Sequence, residues 1–451
     1  MLQIQKPKEQ IICLIGKQTF NSNEKYRFLH FCINIPFDDK ILLFNNLTKE
    51  FLVLEKDEYE ELKNSNFSLP VDTVKTLVEQ WFLVLEDNND LELCEQIRST
   101  MALFEANKGI NQYTILTTTG CNARCFYCFE AGAPVINMDI TTANAVADYI
   151  IRNCKGEKVL LNWFGGEPLC NHKVIDIISQ KLCDNNISYY STMVSNGYLF
   201  NEDIVKKSIE LWKIKSIQIT LDGMADTYNK VKNYANNDNN AFNRVIENMH
   251  TLCENKVAVK VRLNIDSHNY DEMISLIEFL NNKFKKYKDN YFLIYISPLF
   301  EYDGAESFSR NEIQRIELTQ KVKEITQFID KLELSKGHKR INNFATSSCM
   351  ADRNNSVLIQ PDGKLGFCEH YVSSNTYGTI YEDVKKSTWS AYQKRFEECK
   401  TCAYLPSCLK LEKCPTASDT CYEYTRFLRM NKVTNGVIEY YKKYLKSLNE
   451  E

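Results

Sequence analysis

Residues 121–128 read CNARCFYC, directly after a short apolar run, Tyr113–Thr118. Cys121, Cys125 and Cys128 are spaced so that one short loop can ligate three irons of a [4Fe–4S] cube. Full cysteine ligation of such a cube takes four thiolates. Three leave one iron open, and an open iron can bind a substrate. The competing reading is a zinc site, but zinc closes a tetrahedral shell, and no fourth Cys or His stands nearby.

Outward from this loop, residues 109–335 alternate between two patterns. β-rich apolar runs occur at Tyr113–Thr118, Val159–Phe164, Tyr189–Val194, Ile217–Leu221, Val257–Ile265 and Phe292–Ser297. Helical patterns fill the gaps, at Thr141–Cys154, Lys173–Asp184, Glu202–Trp212, Phe242–Cys253 and Tyr270–Lys285. Six strands with five intervening helices predict an α/β fold of parallel βαβ units. A closed barrel takes eight such units, so the expectation is a partial (β/α)6 TIM-like barrel. Chemistry in parallel α/β folds collects where strands end, and Cys121 sits at such an end. The polar stretch Asn233–Asn240 reads as a surface loop.

Residues 1–108 predict a small α+β module. It has a strand at Tyr26–Ile35, a hairpin over Ile41–Leu54 turning at Asn45-Asn46, and helices at Lys56–Lys63, Val71–Leu85 and Leu91–Asn107. Residues 336–451 have few apolar runs and end in a helical pattern, Asn435–Leu448.

The chain has 451 residues, 44% hydrophobic and 25% charged, with a formal net charge of −4. That balance carries no polyanion footprint, so nucleic acid is not an expected partner. No apolar run reaches the ~18 residues that span a bilayer, and the first ten residues lack a secretory apolar region. The expected location is the cytoplasm, with no membrane partner. There are 17 cysteines. Seven are scattered and read as small core residues. The others form two groups, and clustered cysteines in a reduced compartment point to metal.

The CxxxCxxC loop after the first strand of a repeating β/α region resembles the radical S-adenosylmethionine (SAM) enzymes. The resemblance implies that SAM chelates the open iron. One electron then cleaves it to a 5′-deoxyadenosyl radical, which takes a hydrogen atom from substrate. Tyr127 matches the family's aromatic position beside the adenine. Gly165, Gly166, Glu167 and Pro168 resemble its GGEP motif, in which glycines admit a close ligand and the carboxylate accepts from an ammonium group. Ser195-Asn196-Gly197 resembles the segment near the ribose. Leu221-Asp222-Gly223 resembles the SLDG motif, with Thr220 in place of Ser. Arg262, Asn264 and Asp266 alternate on the fifth strand and share a face, and an inward face would place Arg262 and Asn264 near SAM.

The second cysteine group, Cys349, Cys368, Cys399, Cys402, Cys408, Cys414 and Cys421, resembles the SPASM extension. That resemblance implies two auxiliary [4Fe–4S] clusters, three clusters in all. Cys399, Cys402, Cys408 and Cys421 would hold the second auxiliary cluster. Cys349, Cys368 and Cys414 would hold the first, whose last ligand is unassigned. Five residues separate Cys408 from Cys414 where the family has three, and the final spacing is short. The competing reading is a zinc ribbon.

SPASM enzymes include maturases of ribosomally made peptides, which form thioether or C–C crosslinks, and anaerobic sulfatase maturases, which make formylglycine. The N-terminal module resembles the winged-helix-like recognition domain of the peptide maturases, and Phe129-Glu130-Ala131-Gly132 also resembles that group. The expected partners are a precursor peptide with a leader, added as a strand, and a one-electron reductant such as flavodoxin or ferredoxin. Formylglycine formation and a non-catalytic iron- or zinc-binding peptide-binding protein are the alternatives. No catalytic base is assigned; Asp303, Glu306, Asp362 and Glu369 are acidic candidates that read as surface charges.

Overall fold

The computed structural model describes residues 2–5, 9–63, 70–106, 109–299, 312–335, 350–370, 375–383, 400–407 and 423–450. Cys349, Cys399, Cys408, Cys414, Cys421, Asp303 and Glu306 lie outside the described residues. The chain forms two compact units: Met1–Glu105 with Gly337–Arg353 and Ser390–Glu451, and Ala106–Lys336 with Asn354–Trp389. These cut across the three consecutive segments read from sequence.

The first unit opens with β1 (Leu2–Gln5), α1 (Glu9–Ile15), β2 (Tyr26–Phe28), β3 (Cys32–Phe37), β4 (Lys40–Asn45) and β5 (Phe51–Glu55). There follow α2 (Lys56–Lys63), α3 (Val71–Glu79), β6 (Leu83–Leu85) and α4 (Asp90–Ala106). The single strand expected over Tyr26–Ile35 is two. β2 pairs with β6, whereas β3 borders an antiparallel sheet of order β1-β5-β4-β3. The hairpin forms where expected, with Ile41 opposite Leu54 and Phe44 opposite Phe51.

The second unit carries β7 (Gln112–Leu116), α5 (Ile140–Asn153), β8 (Val159–Phe164), α6 (His172–Asp184), β9 (Tyr189–Ser195) and α7 (Glu202–Glu210). It continues with β10 (Ile214–Leu221), α8 (Ala225–Lys232), α9 (Ala241–Glu254), β11 (Ala258–Ile265), α10 (Met273–Phe284), β12 (Phe292–Pro298) and α11 (Glu312–Lys331). β7 to β12 are parallel neighbours in chain order, as the six-unit partial barrel requires. α8 was not anticipated. Beyond β7 the sheet grows by β13 (Ser356–Ile359), parallel to β7, and then by antiparallel β14 (Lys364–Gly366) and β15 (Thr376–Thr379).

α12 (Glu423–Glu450) closes the chain. It belongs to the first unit, where Val437 and Tyr441 pack with Ile33, Ile35, Leu42, Phe44, Phe51 and Val53. Tyr441 meets the rings of Phe37 and Phe51 edge-on at 5.4 and 6.1 Å. An antiparallel sheet needs a cover for its apolar face, and here that cover comes from the far end of the chain.

Alternation on the parallel strands sets the chemistry of the barrel. Val159, Leu161 and Trp163 of β8 are fully buried, as are Val259, Val261 and Leu263 of β11. The opposite faces are polar and partly open. Thr192 donates to Asn162 (3.0 Å) and Tyr295 to Gln218 (2.5 Å). Arg262 lies in register between Thr220 and Tyr295. Because side chains alternate every residue, one strand builds both the core and the polar face. Among the described residues no helix is long and apolar enough to cross a membrane.

Candidate active site at the strand ends

The CNARCFYC loop follows β7, and three neighbouring segments hold it. The first is the turn after β8. The Gly166 N–H donates to Thr118 O (3.1 Å) and the Glu167 N–H to Gly120 O (2.9 Å). Both glycines are forced by this approach. A Cβ on Gly165 (φ +124°) would stand 2.1 Å from Thr118 O, and one on Gly166 2.5 Å from Gly120 O. Backbone pressed on backbone already requires glycine at both positions.

Glu167 is fully buried. Its carboxylate accepts from Leu169 N (3.1 Å), from the Ser195 hydroxyl (2.9 and 3.2 Å) and from Asn196 N (2.8 Å). Burial pushes its pKa up to about 7, against the pull of the Asn196 and Leu169 N–H groups and the Ser195 hydroxyl. The one Ser195 hydroxyl hydrogen is shared between the two oxygens, and with the Leu169 and Asn196 N–H groups it ties the ends of β8 and β9 together through the carboxylate. Three donated hydrogens leave a lone-pair position open for the ammonium group expected from the sequence.

The second support is the turn after β9. The Asn196 side chain donates to Asn122 Oδ1 (2.7 Å) and lies 3.9 Å from Cys121 Sγ. The third is the last residue of α8 with the segment after it, Asn233–Asn240, which sequence reading took for a surface loop. There Lys232 O accepts from Arg124 N (2.8 Å), and the Ala235 N–H donates to Asn122 O (2.9 Å). Tyr234, 3% exposed, stacks on Tyr198 at 4.4 Å and shares a 2.9 Å hydrogen bond with Tyr228. Asn233–Asn240 therefore begins as a strap over the cysteine loop.

A buried polar group lies beside the thiols. Tyr127 donates to Asp222 Oδ1 (2.7 Å), Asn264 donates to the same oxygen (3.2 Å), and Lys232 Nζ stands 3.0 Å from Asp222 Oδ2. Lys232 also donates to the Tyr127 hydroxyl (2.9 Å), and Arg262 donates to Asn264 Oδ1 (3.0 Å). Asn269 braces the carbonyls of Asp222 and Asn264 at 2.7 and 2.9 Å. Tyr127, Asp222, Arg262 and Asn264, far apart in sequence, are thus one connected set. Lys232 joins them unforeseen; its only sequence signal was the i,i+4 spacing from Tyr228 on an unrecognised helix.

The donor set fits an iron–sulfur cube. Burial pushes the Cys121 thiol up to about 12 and Cys128 to about 11, and burial likewise raises Cys125, with Lys232 opposing. Three half-buried thiols close enough to repel one another as thiolates have a purpose if iron takes their protons. A cube spreads its thiolates over separate corners, so three cysteines on one loop can serve it without converging on a single point. Both Glu130 oxygens and Asn122 Nδ2, on or beside this loop, are buried without a hydrogen-bond partner among the described residues. Buried polar groups are normally paired, so unpaired ones here suit a site completed by a bound molecule.

Of the second cysteine group, Cys368 and Cys402 are described. Cys368 lies 3.7 Å from a Glu369 oxygen, and His370, two residues on, has its ring 4.6 Å from Phe129. Cys402 packs against the core around Leu29, Phe31 and Leu405 in the first unit. Asp362 pairs with Lys364 (2.7 Å) near the surface.

Residues 115–280 match the model of the Radical SAM superfamily. A 120-residue stretch is 31% identical to the uncharacterised protein MJ0907 of Methanocaldococcus jannaschii, covering 26% of this chain and 40% of that protein. A 287-residue stretch is 25% identical to a GTP 3′,8-cyclase of Clostridium perfringens, covering 58% of this chain and 81% of the cyclase. Among solved structures, anSMEcpe with bound AdoMet and a Cp18Cys peptide aligns with a TM-score of 0.54 at 18% identity, over 76% of this chain and 100% of that one. Streptococcus suis SuiB aligns with a TM-score of 0.50 at 15% identity, over 87% of this chain and 94% of that one.

Proposed function

We propose that the chain is a radical SAM enzyme, a maturase acting on a ribosomally made precursor peptide. When bound, the cluster and SAM supply a carbon radical able to take a hydrogen atom from an unactivated position. The observation that carries this reading is the loop of Cys121, Cys125 and Cys128, half-buried at the strand ends. It is fastened there by Gly166 and Glu167 on one side and Lys232 on the other. Such fastening sets the three thiols in place before iron arrives, which keeps reorganisation small.

Three features support a peptide substrate. β3 borders the N-terminal sheet, an arrangement to which a leader can add as a strand. The chain aligns with anSMEcpe, whose structure holds a peptide. Downstream cysteines in the SPASM pattern would hold two auxiliary clusters able to accept the electron that thioether formation releases. Tyr127, Ser195, Asn196, Asp222, Arg262 and Asn264 are assigned to orient SAM, and Gly165, Gly166 and Glu167 to shape the turn beneath it. A one-electron donor of the flavodoxin or ferredoxin type completes the partners.

The test is anaerobic reconstitution followed by coexpression with a candidate precursor encoded nearby. Roughly twelve irons in three cubes, release of 5′-deoxyadenosine, and a loss of two mass units per crosslink in the peptide are expected. Turnover of SAM with an unchanged peptide mass across neighbouring precursors would overturn the peptide assignment and leave the radical domain standing.

A further inference from the structure

We infer that Lys232 is a positioning residue that holds the cysteine loop from both sides of Cys125 and places a fixed positive charge beside its cluster. Its carbonyl accepts from Arg124 N at 2.8 Å, and its ammonium donates to Tyr127 at 2.9 Å. One residue thus brackets Cys125 from the position before it and the second position after it. The bracket is rigid. The side chain of Lys232 is 4% exposed and that of Asp222 1%. The ammonium also lies 5.6 and 5.7 Å from the ring centres of Tyr127 and Tyr228.

The two charges oppose each other. Asp222 stands 3.0 Å from the ammonium, and both groups bond the Tyr127 hydroxyl, two residues from Cys125. Removing either one leaves the other's charge unbalanced beside the loop. Burial is the strongest single influence and works against the lysine's charge, but Asp222, Cys125, Tyr127 and Tyr228 together outweigh it and keep the ammonium protonated. A cation held in a low-dielectric setting favours the state of a nearby centre that carries one more electron. Lys232 then raises the reduction potential of the cluster, and Asp222 restrains that effect. The sequence resemblance assigned nothing to Lys232.

The inference rests on the cluster reading, and the experiment separates the two. The SAM-free midpoint potential is measured by EPR-monitored titration, on the signal that Cys125→Ala removes. Lys232→Met is expected to titrate at a lower potential than wild type and Asp222→Asn at a higher one, with Lys232→Arg close to wild type. If Lys232→Met does not fold, Asp222→Asn and Lys232→Arg decide alone. An Asp222→Asn midpoint equal to wild type, or a Lys232→Arg midpoint displaced as far as that of Lys232→Met, overturns the charge role. Absence of any signal that depends on Cys125 in wild type overturns the cluster reading instead.

Discussion

Each compact unit contains a buried aspartate paired with a cation, and the two pairs differ in what surrounds them. In the first unit Asp90 takes Arg27 through two nitrogens at 2.9 and 3.1 Å, the His30 N–H at 2.8 Å and Asn88 at 2.5 Å. Burial works against its ionisation, but Arg27, His30 and Asn88 outweigh it and hold the carboxyl below the usual range. Every partner is a strand or turn residue being locked in place, and Arg27 keeps a quarter of its side chain in solvent. In the second unit Asp222 meets a lysine that is nearly as buried as itself and reaches on to Tyr127, in the cysteine loop. The chemistry of the pair is alike. Its use follows from the third partner, which is backbone in one case and a loop bearing three thiols in the other.

Breaking the loop itself has the largest effect. Cys125→Ala is expected to abolish SAM-dependent release of 5′-deoxyadenosine and to cost about four irons per chain on reconstitution, read by product chromatography and iron assay. Next comes the backbone seam below the loop. Gly165→Ala combines a positive φ with a Cβ inside Thr118 O, so a loss of about 3 kcal/mol or more is expected by urea denaturation. A near-neutral result would mean that the seam is looser than its hydrogen bonds imply.

Asp90→Asn tests the structural pair. It should cost about 2 kcal/mol at pH 7, less than a fully buried pair because Arg27 is partly solvated, with SAM cleavage retained. The sign with pH follows from the lowered carboxyl. Its contribution is present above the unfolded carboxylate range, about pH 4, and is lost as pH falls through the native value. The gap between wild type and Asp90→Asn should therefore close in acid, as followed by urea midpoints across pH. The smallest expected effect is Tyr127→Phe. It removes one hydroxyl from Asp222 and Lys232, which still hold each other, at about 1 kcal/mol in thermal unfolding.

Much of the second unit was legible in the sequence. Runs such as Val159–Phe164 alternate with the two-residue period of a strand, and patterns such as Ala241–Glu254 with the helical period. Both are local, so their order and type could be read directly. The same locality hid α8, whose eight residues are mostly polar, and split the expected Tyr26–Ile35 strand between two sheets. The glycines at 165 and 166 could be recognised as a motif, but their reason could not, since it is the carbonyls of Thr118 and Gly120.

By itself, the sequence determined the thiol triad, the parallel β/α order and the positions of Tyr127, Asp222, Arg262 and Asn264, because spacing and period are properties of neighbouring residues. Only the tertiary structure decided that α12 covers the N-terminal sheet, that β13 extends the barrel sheet beside β7, that Glu167 ties the ends of β8 and β9, and that Lys232 brackets Cys125. A period states which face a residue presents. It does not state which distant backbone or charge that face will meet, and those meetings are what hold the cysteine loop.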